Sequence, residues 1–261
     1  MAPGLNLRKR YMPRQTIREG RKPSVPRGVR IYAVGDIHGR ADLLAQLHRQ
    51  IQEDAATAPE RVTKTMVYLG DYVDRGLDSK GVLDLILSDP LVGFDTVYLK
   101  GNHEDVLLRF LQDIFVGPDW FAIGGNATIL SYGVRIPQGL STRQRFEHIW
   151  TELPNRIPQD HLEFLFGLEL MYQAGDYLFV HAGIRPGTPL DRQTPEDLMW
   201  IREEFLCSKQ DHGVIVVHGH SPRNRPEIQN NRIGIDTGAF ATNVLTCLVL
   251  EGTTKRFLST S

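Results

Sequence analysis

The sequence predicts an α/β sandwich in one domain, and three observations carry that prediction. Between residues 29 and 114, short apolar runs that end at or near a glycine are followed by apolar residues at helical spacing, three times over. After residue 170 come further strand-sized apolar runs at hairpin-like spacing. Polar, chemically capable residues are concentrated where the runs stop.

The first unit is Val29, Ile31, Ala33 and Val34 ending in Gly35, then Leu44, Leu47 and Ile51. In the second, Met66 to Leu69 run into Gly70, with Val82, Leu85 and Ile86 beyond. The third has Val97, Tyr98 and Leu99 before Gly101, then Leu107, Phe110, Leu111 and Ile114. Strand, glycine turn and helix in repetition read as parallel βαβ units. Right-handed crossovers then bring all three strand ends to one sheet edge, where open α/β sheets bind ligands. Residues 117–167 predict helices around Arg143–Trp150 and Asp160–Phe166. Strands are expected at Leu170–Gln173, Tyr177–Val180, Val214–Val217, Ile233–Ile235 and Val244–Leu250, forming a second, mostly antiparallel sheet.

At 261 residues and 29.5 kDa, with 41% apolar and 23% charged residues, the chain can bury a core of its own. A formal charge of −1 excludes a uniformly basic nucleic-acid binder and a strongly acidic tail protein. The charge is uneven: residues 1–30 hold nine Lys or Arg against Glu19, and the remainder 21 basic against 30 acidic side chains. Residues 1–28 are rich in Pro, Gly and Arg and poor in apolar residues, so a disordered basic tail is expected there, able to contact an anionic partner. Residues 29–261 are expected to form a single folded domain. No apolar run approaches the ~20 residues of a membrane span, and the start lacks a secretory apolar stretch. Pro3, Pro13, Pro23 and Pro26 argue against an amphipathic transit helix. Cys207 and Cys247 form neither a disulfide framework nor a zinc knuckle. A cytoplasmic protein without membrane contact is the expectation.

The strand ends carry Gly35-Asp36-Ile37-His38-Gly39, then Gly70-Asp71-Tyr72-Val73-Asp74-Arg75-Gly76, and Gly101-Asn102-His103-Glu104. Later ends give His181-Ala182-Gly183 and His218-Gly219-His220. Carboxylate, imidazole and amide groups without thiolate make a cage suited to manganese, iron or zinc. A centrally placed carboxylate can bridge two ions, and Asp71, on the middle strand of the first three in sequence order, is the natural bridge.

These five segments, GDIHG, GDYVDRG, GNHE, HAG and HGHSP, resemble the phosphoprotein phosphatase family of calcineurin-like metallophosphoesterases, and the small bacterial-type Ser/Thr protein phosphatases in particular. The resemblance covers about residues 29–250. It implies a β-sandwich flanked by helices in four layers, α/β/β/α, and a centre of two divalent metal ions, with manganese favoured and iron or zinc as alternatives. By motif match Asp36, His38 and Asp71 hold one ion, and Asp71, Asn102, His181 and His220 the other. Arg75 and Arg202 then bind phosphate, and His103, oriented by Asp74, is the general acid for an in-line attack by a metal-activated hydroxide. A buried Asp74 is expected to keep His103 protonated near neutral pH. Pro222 stands where the wider superfamily places a second metal-binding histidine, so His220 is the ligand and His218 a candidate to support a ligand from behind. Asp236, in Asp236-Thr237-Gly238, is either a similar support, bonded to a ligand histidine, or a turn-former. The insertion Trp120–Asn126 is read as a packed loop, with a substrate lid as the alternative.

Three functions fit these residues. The complete Asp74-Arg75-Gly76 segment favours a protein phosphatase acting on phosphoserine or phosphothreonine in a phosphorylated protein or peptide. A symmetrical dinucleoside-polyphosphate hydrolase, or an enzyme removing the cap from an RNA 5' end, shares the same cage. A catalytically silent binding protein is the third, disfavoured because every ligand and the acid are present.

Overall fold

The computed structural model describes residues 21–260. Ten strands form two five-stranded sheets, ordered β10-β9-β1-β2-β3 and β4-β5-β6-β8-β7. The strands are β1 (Val29–Val34), β2 (Thr63–Tyr68), β3 (Phe94–Tyr98), β4 (Met171–Ala174), β5 (Tyr177–Val180), β6 (Ile215–His218), β7 (Glu227–Ile228), β8 (Arg232–Gly234), β9 (Thr246–Glu251) and β10 (Thr254–Ser259). The helices are α1 (Ala41–Ala56), α2 (Ser79–Ser88), α3 (Asn102–Gln112), α4 (Gly117–Ala122), α5 (Gly125–Ser131), α6 (Thr142–Glu152), α7 (Gln159–Phe166), α8 (Pro195–Trp200), α9 (Glu203–Leu206) and α10 (Ala239–Thr242).

The layering follows from the central strands being apolar on both faces. In β1, Ile31 and Ala33 face the second sheet while Tyr32 and Val34 face the helices of the first. β9 does the same, with Leu248 and Leu250 inward and Cys247 and Val249 outward. The inner cluster is completed by Val67, Leu69, Phe179, Val217 and Ile235. Leu44, Leu47 and Ile51 of α1 and Val82 and Ile86 of α2 cover the outside of the first sheet. Leu198, Phe205 and Leu206 cover the outside of the second. Helix, sheet, sheet and helix therefore stack in the expected four layers. Each large side chain so buried contributes about 1.5–3 kcal/mol.

Two expectations about the strands are corrected. The run from Val244 belongs to the first sheet, not the second: β9 pairs antiparallel with β1 and then with β10. A strand apolar on both faces needs cover on both, and the free edge of β1 provides it. The second sheet is also parallel at its centre, since β5 pairs with β6 and β6 with β8 in parallel, and only β4 and β7 are antiparallel. The 34 residues between β5 and β6 carry α8 and α9, as a parallel crossover requires. The short β7 and the largely polar β10 had no apolar pattern to announce them.

Most of the basic tail, including Arg8, Lys9, Arg10, Arg14 and Arg18, lies outside the described residues. Its described part, from Arg21, contacts the domain. Arg21 pairs with Asp176 at 2.6 Å, the Ser24 amide donates to the same carboxylate, and Val25 is 4% exposed within the inter-sheet core. Among the described residues no helix is long and apolar enough to cross a membrane.

Candidate metal centre

Because β1, β2 and β3 are mutually parallel, as are β5, β6 and β8, their C-terminal ends meet at one edge of the sandwich. The turns leaving that edge bring together the carboxylates, imidazoles and amide singled out in the sequence. Asp36, His38, Asp71, Asp74, Asn102, His103, His181 and His220 are all buried. Arg75 is half-buried and Arg202, between α8 and α9, is exposed.

The backbone is bent to achieve this. His38, Asp71, Asp74, Arg75 and His220 have φ between 48° and 69°; among the described non-glycine residues only Asn243 joins them. Left-handed backbone is uncommon for such side chains and collects at functional sites. Two glycines leave room for carboxylates: a Cβ on Gly101 would land on Asp71 Oδ1, and one on Gly219 on Asp36 Oδ1. Glu104 binds the turns to each other. Its buried carboxylate accepts from the amides of Asp71 (2.9 Å), Tyr72 (2.8 Å), Val73 (3.2 Å) and Gly101 (2.9 Å). Burial pushes its pKa up to about 7 against the pull of those amides.

Two three-donor groups, His38–Asp71–His103 and Asp71–His181–His220, have ligand atoms within 4.8 Å of one another, and they share Asp71. The donor chemistry fits cations. His181 Nδ1 donates to the Leu69 carbonyl at 2.9 Å, and burial first, then neighbouring histidines and Arg202, push its pKa down to about 3. Its Nε2 is therefore a bare lone pair, yet it faces Asn102 Oδ1 at 2.9 Å and Asp71 Oδ1 at 3.4 Å. Three electron-rich atoms converge with no proton to separate them. Likewise Asp36 and Asp71 are pushed well above the usual carboxylate range, chiefly by burial and then by neighbouring carboxylates. A divalent cation relieves both conflicts.

Asp36 lies outside the two groups, and His103 takes the third place beside His38 and Asp71. The Asp36 carboxylate instead accepts from the His220 amide at 3.0 Å and is bonded to the Asp236 side chain. Asp236 also caps the following turn by accepting from the Gly238 amide at 2.8 Å. His218 reaches only the carbonyl of Gly219, at 3.0 Å, and packs edge-on against Phe205. As the last residue of β6 it lies beside Gly234 of β8, and among the described residues its ring bonds to no candidate ligand side chain.

His103 Nδ1 donates to Asp74 Oδ2 at 2.8 Å, leaving Nε2 without a partner 3.8 Å from Asp71 Oδ2. Burial, with Arg75 and Arg202 adding, pushes His103 down to about 3, and burial pushes Asp74 up to about 7. In the chain alone His103 is neutral, so Asp74 does not by itself hold an imidazolium at neutral pH. Arg75 Nη1 donates to His38 Nε2 at 2.9 Å, and its guanidinium lies 5.0 Å from the centre of the Phe240 ring. Arg202 Nη1 donates to the His220 carbonyl at 3.2 Å. Each sheet thus places one arginine beside the cage.

Glu104, Thr128 and Phe240 have no role predicted from sequence, and Trp120 is predicted only as part of a packed loop or lid, where the structure has helices. Glu104 alone left a signal, as the acidic residue three places into α3 in a capping-box position. The others come from α4, α5 and α10, where nothing in the pattern separates a site residue from packing.

The chain is 27% identical over 241 residues to the asymmetrical bis(5'-nucleosyl)-tetraphosphatase PrpE of Oceanobacillus iheyensis, covering 84% of this chain and 87% of that one. It is 26% identical to the protein of the same name in Bacillus velezensis, over 82% of this chain and 86% of the relative. Among solved structures, a candidate diadenosine tetraphosphatase superposes with a TM-score of 0.60 at 22% identity, covering 92% and 98% of the two chains. A cold-active protein-tyrosine phosphatase from a psychrophilic Shewanella superposes at 0.55 and 18% identity, over 90% and 83%. The family model of the calcineurin-like phosphoesterases matches residues 29–243, and this chain belongs to that family of metal-dependent phosphoester hydrolases.

Proposed function

We propose that this chain hydrolyses dinucleoside polyphosphates asymmetrically, releasing a nucleoside monophosphate from a dinucleoside tetraphosphate. The similarity to the two asymmetrical tetraphosphatases, spread over more than four-fifths of the chain, carries this reading. It departs from the protein phosphatase favoured by the sequence, and also from its alternative, in which cleavage is symmetrical. Phe240 supports it, because its 38% exposed ring beside Arg75 gives a flat apolar surface next to the phosphate-binding group. A nucleobase stacks on such a surface.

Asp36, His38 and Asp71 would hold one divalent ion, and Asp71, Asn102, His181 and His220 the other. Such ions supply positive charge to the phosphoryl oxygens and a nucleophilic water at neutral pH. Arg75 and Arg202 take the remaining phosphoryl oxygens, Arg75 swinging from His38 to do so. The negative charge of bound polyphosphate raises the pKa of His103, which then carries a proton at Nε2 while Nδ1 stays bonded to Asp74. From Nε2 the proton goes to the leaving oxygen.

The His103–Asp74 pair favours a second reading, dephosphorylation of serine or threonine. An alkoxide leaving group needs that proton far more than a nucleotide phosphate does. Comparison of kcat/KM for diadenosine tetraphosphate and a phosphothreonine peptide, with products resolved by chromatography, separates the two. ATP and AMP in equal amounts, at the higher kcat/KM, are the expected result. ADP alone would mean symmetrical cleavage, and preference for the peptide would establish the protein phosphatase.

A further inference from the structure

The insertion helices α4 and α5 hold Asp74 in a way that the mechanism so far does not use. Asp74 is fully buried, and its amide and carboxylate are also engaged from outside the metal-binding turns. Thr128 Oγ1 donates to Asp74 Oδ1 at 2.6 Å and accepts from the Asp74 amide at 2.9 Å. Trp120 Nε1 donates to Oδ1 at 3.2 Å and Oδ2 at 3.0 Å. Ser79 Oγ accepts from the same Asp74 amide at 3.0 Å. The Gly124 carbonyl between the two helices accepts from the Arg75 amide at 3.2 Å.

We infer that Trp120 and Thr128 are positioning residues that fix which lone pair of Asp74 meets His103, and so aim the proton on His103 Nε2. The inference rests on the reading of His103 as proton donor. A carboxylate left to itself can rotate and present either oxygen. With Oδ1 occupied by the threonine and the indole bridging both oxygens, only one direction on Oδ2 remains open, and His103 Nδ1 occupies it at 2.8 Å. Rotation of Asp74 would break the Thr128 bond and the indole bond together. The hydroxyl is needed because it must donate to the side chain and accept from the backbone at once, which neither a methyl nor an amide group of that size does.

In the step concerned, the oxygen of a water that has given one proton to solvent bonds to phosphorus, and the bond from phosphorus to the leaving oxygen breaks. The electron pair stays on the leaving oxygen, and the proton of His103 Nε2 moves to it. The imidazole is left neutral, its proton still on Nδ1 and donated to Asp74. A mis-aimed imidazole therefore harms poor leaving groups and spares good ones.

The test uses p-nitrophenyl phosphate, whose leaving group needs no proton, and an alkyl phosphate, whose leaving group does. His103→Ala is the reference and is expected to lose about 100-fold more kcat on the alkyl ester. Thr128→Val, which keeps shape and loses the hydroxyl, and Trp120→Phe, which keeps ring packing and loses the donor, are expected to lose about tenfold more on the alkyl ester. Thr128→Ser is expected to restore the wild-type ratio. Melting temperatures show whether each variant is folded; should Trp120→Phe fail to fold, the Thr128 pair decides. Equal losses on both esters in Thr128→Val, with His103→Ala discriminating, would overturn the positioning role alone. Equal losses in His103→Ala itself would overturn both that role and the reading of His103 as donor.

Discussion

The two sheets contribute differently to the centre. The first sheet delivers its groups in tight turns: Asp36 and His38 after β1, Asp71, Asp74 and Arg75 after β2, Asn102 and His103 after β3. Four of the five left-handed site residues lie in those turns, and Glu104 joins two of the turns through four amide bonds. The second sheet delivers His181 and His220 singly at the ends of β5 and β6, with Arg202 from the connection between them. The first sheet builds a rigid acidic socket, and the second closes it with neutral imidazoles. Left-handed backbone accumulates where several groups must leave one short turn, while on the second sheet it is confined to His220, beside the close approach of Gly219 to Asp36.

The sharpest way to break this contrast is to remove the shared carboxylate. Asp71→Asn takes a donor from both three-donor groups, and kcat should fall by at least about 10³-fold. His181→Ala takes a donor from one group only and should cost about 10–100-fold, measured with the same substrate at saturating metal. A close approach can be tested next. In Gly219→Ala the added methyl meets the Asp36 carboxylate, and activity should drop about tenfold or more, with the metal-concentration dependence shifted upward. Phe240→Ala should act on substrate alone, raising KM for diadenosine tetraphosphate several-fold while leaving KM for p-nitrophenyl phosphate nearly unchanged.

The smallest effect concerns His218, buried on the second sheet with its pKa pushed down to about 4 by burial. A lowered histidine pKa means the folded state holds fewer protons than the unfolded one below pH 6.5. Its contribution to stability is thus complete above pH 6.5 and is lost as pH falls towards 4, by about 1.4 kcal/mol per unit at most. Urea melts of His218→Gln should show a shallower loss of stability between pH 6.5 and 4 than the wild type. Parallel curves would contradict this.

The difference between the sheets also explains how much was readable beforehand. Gly35-Asp36-Ile37-His38, Gly70 to Gly76 and Gly101 to Glu104 sit at the ends of apolar runs followed by helical spacing, so local pattern predicts the strand ends and the turns that carry these residues. His181 and His220 were placed at strand ends correctly, but the sheet around them was not. Whether β9 pairs with β1 or with the second sheet depends on which edge is free, a fact of topology that no run of seven residues contains. Asp236 met Asp36 rather than a histidine for the same reason, since the meeting crosses between the sheets. Trp120 and Thr128 look like core residues in sequence, and only the buried carboxylate between them reveals otherwise.

The most direct test of a centre shared between the sheets is its metal content. Protein stripped of metal, reloaded with manganese and desalted should carry two ions per chain by elemental analysis. His181→Ala should carry one, and Asp71→Asn fewer than one. A single ion in the wild-type chain, or two in Asp71→Asn, would contradict a dinuclear centre built around Asp71.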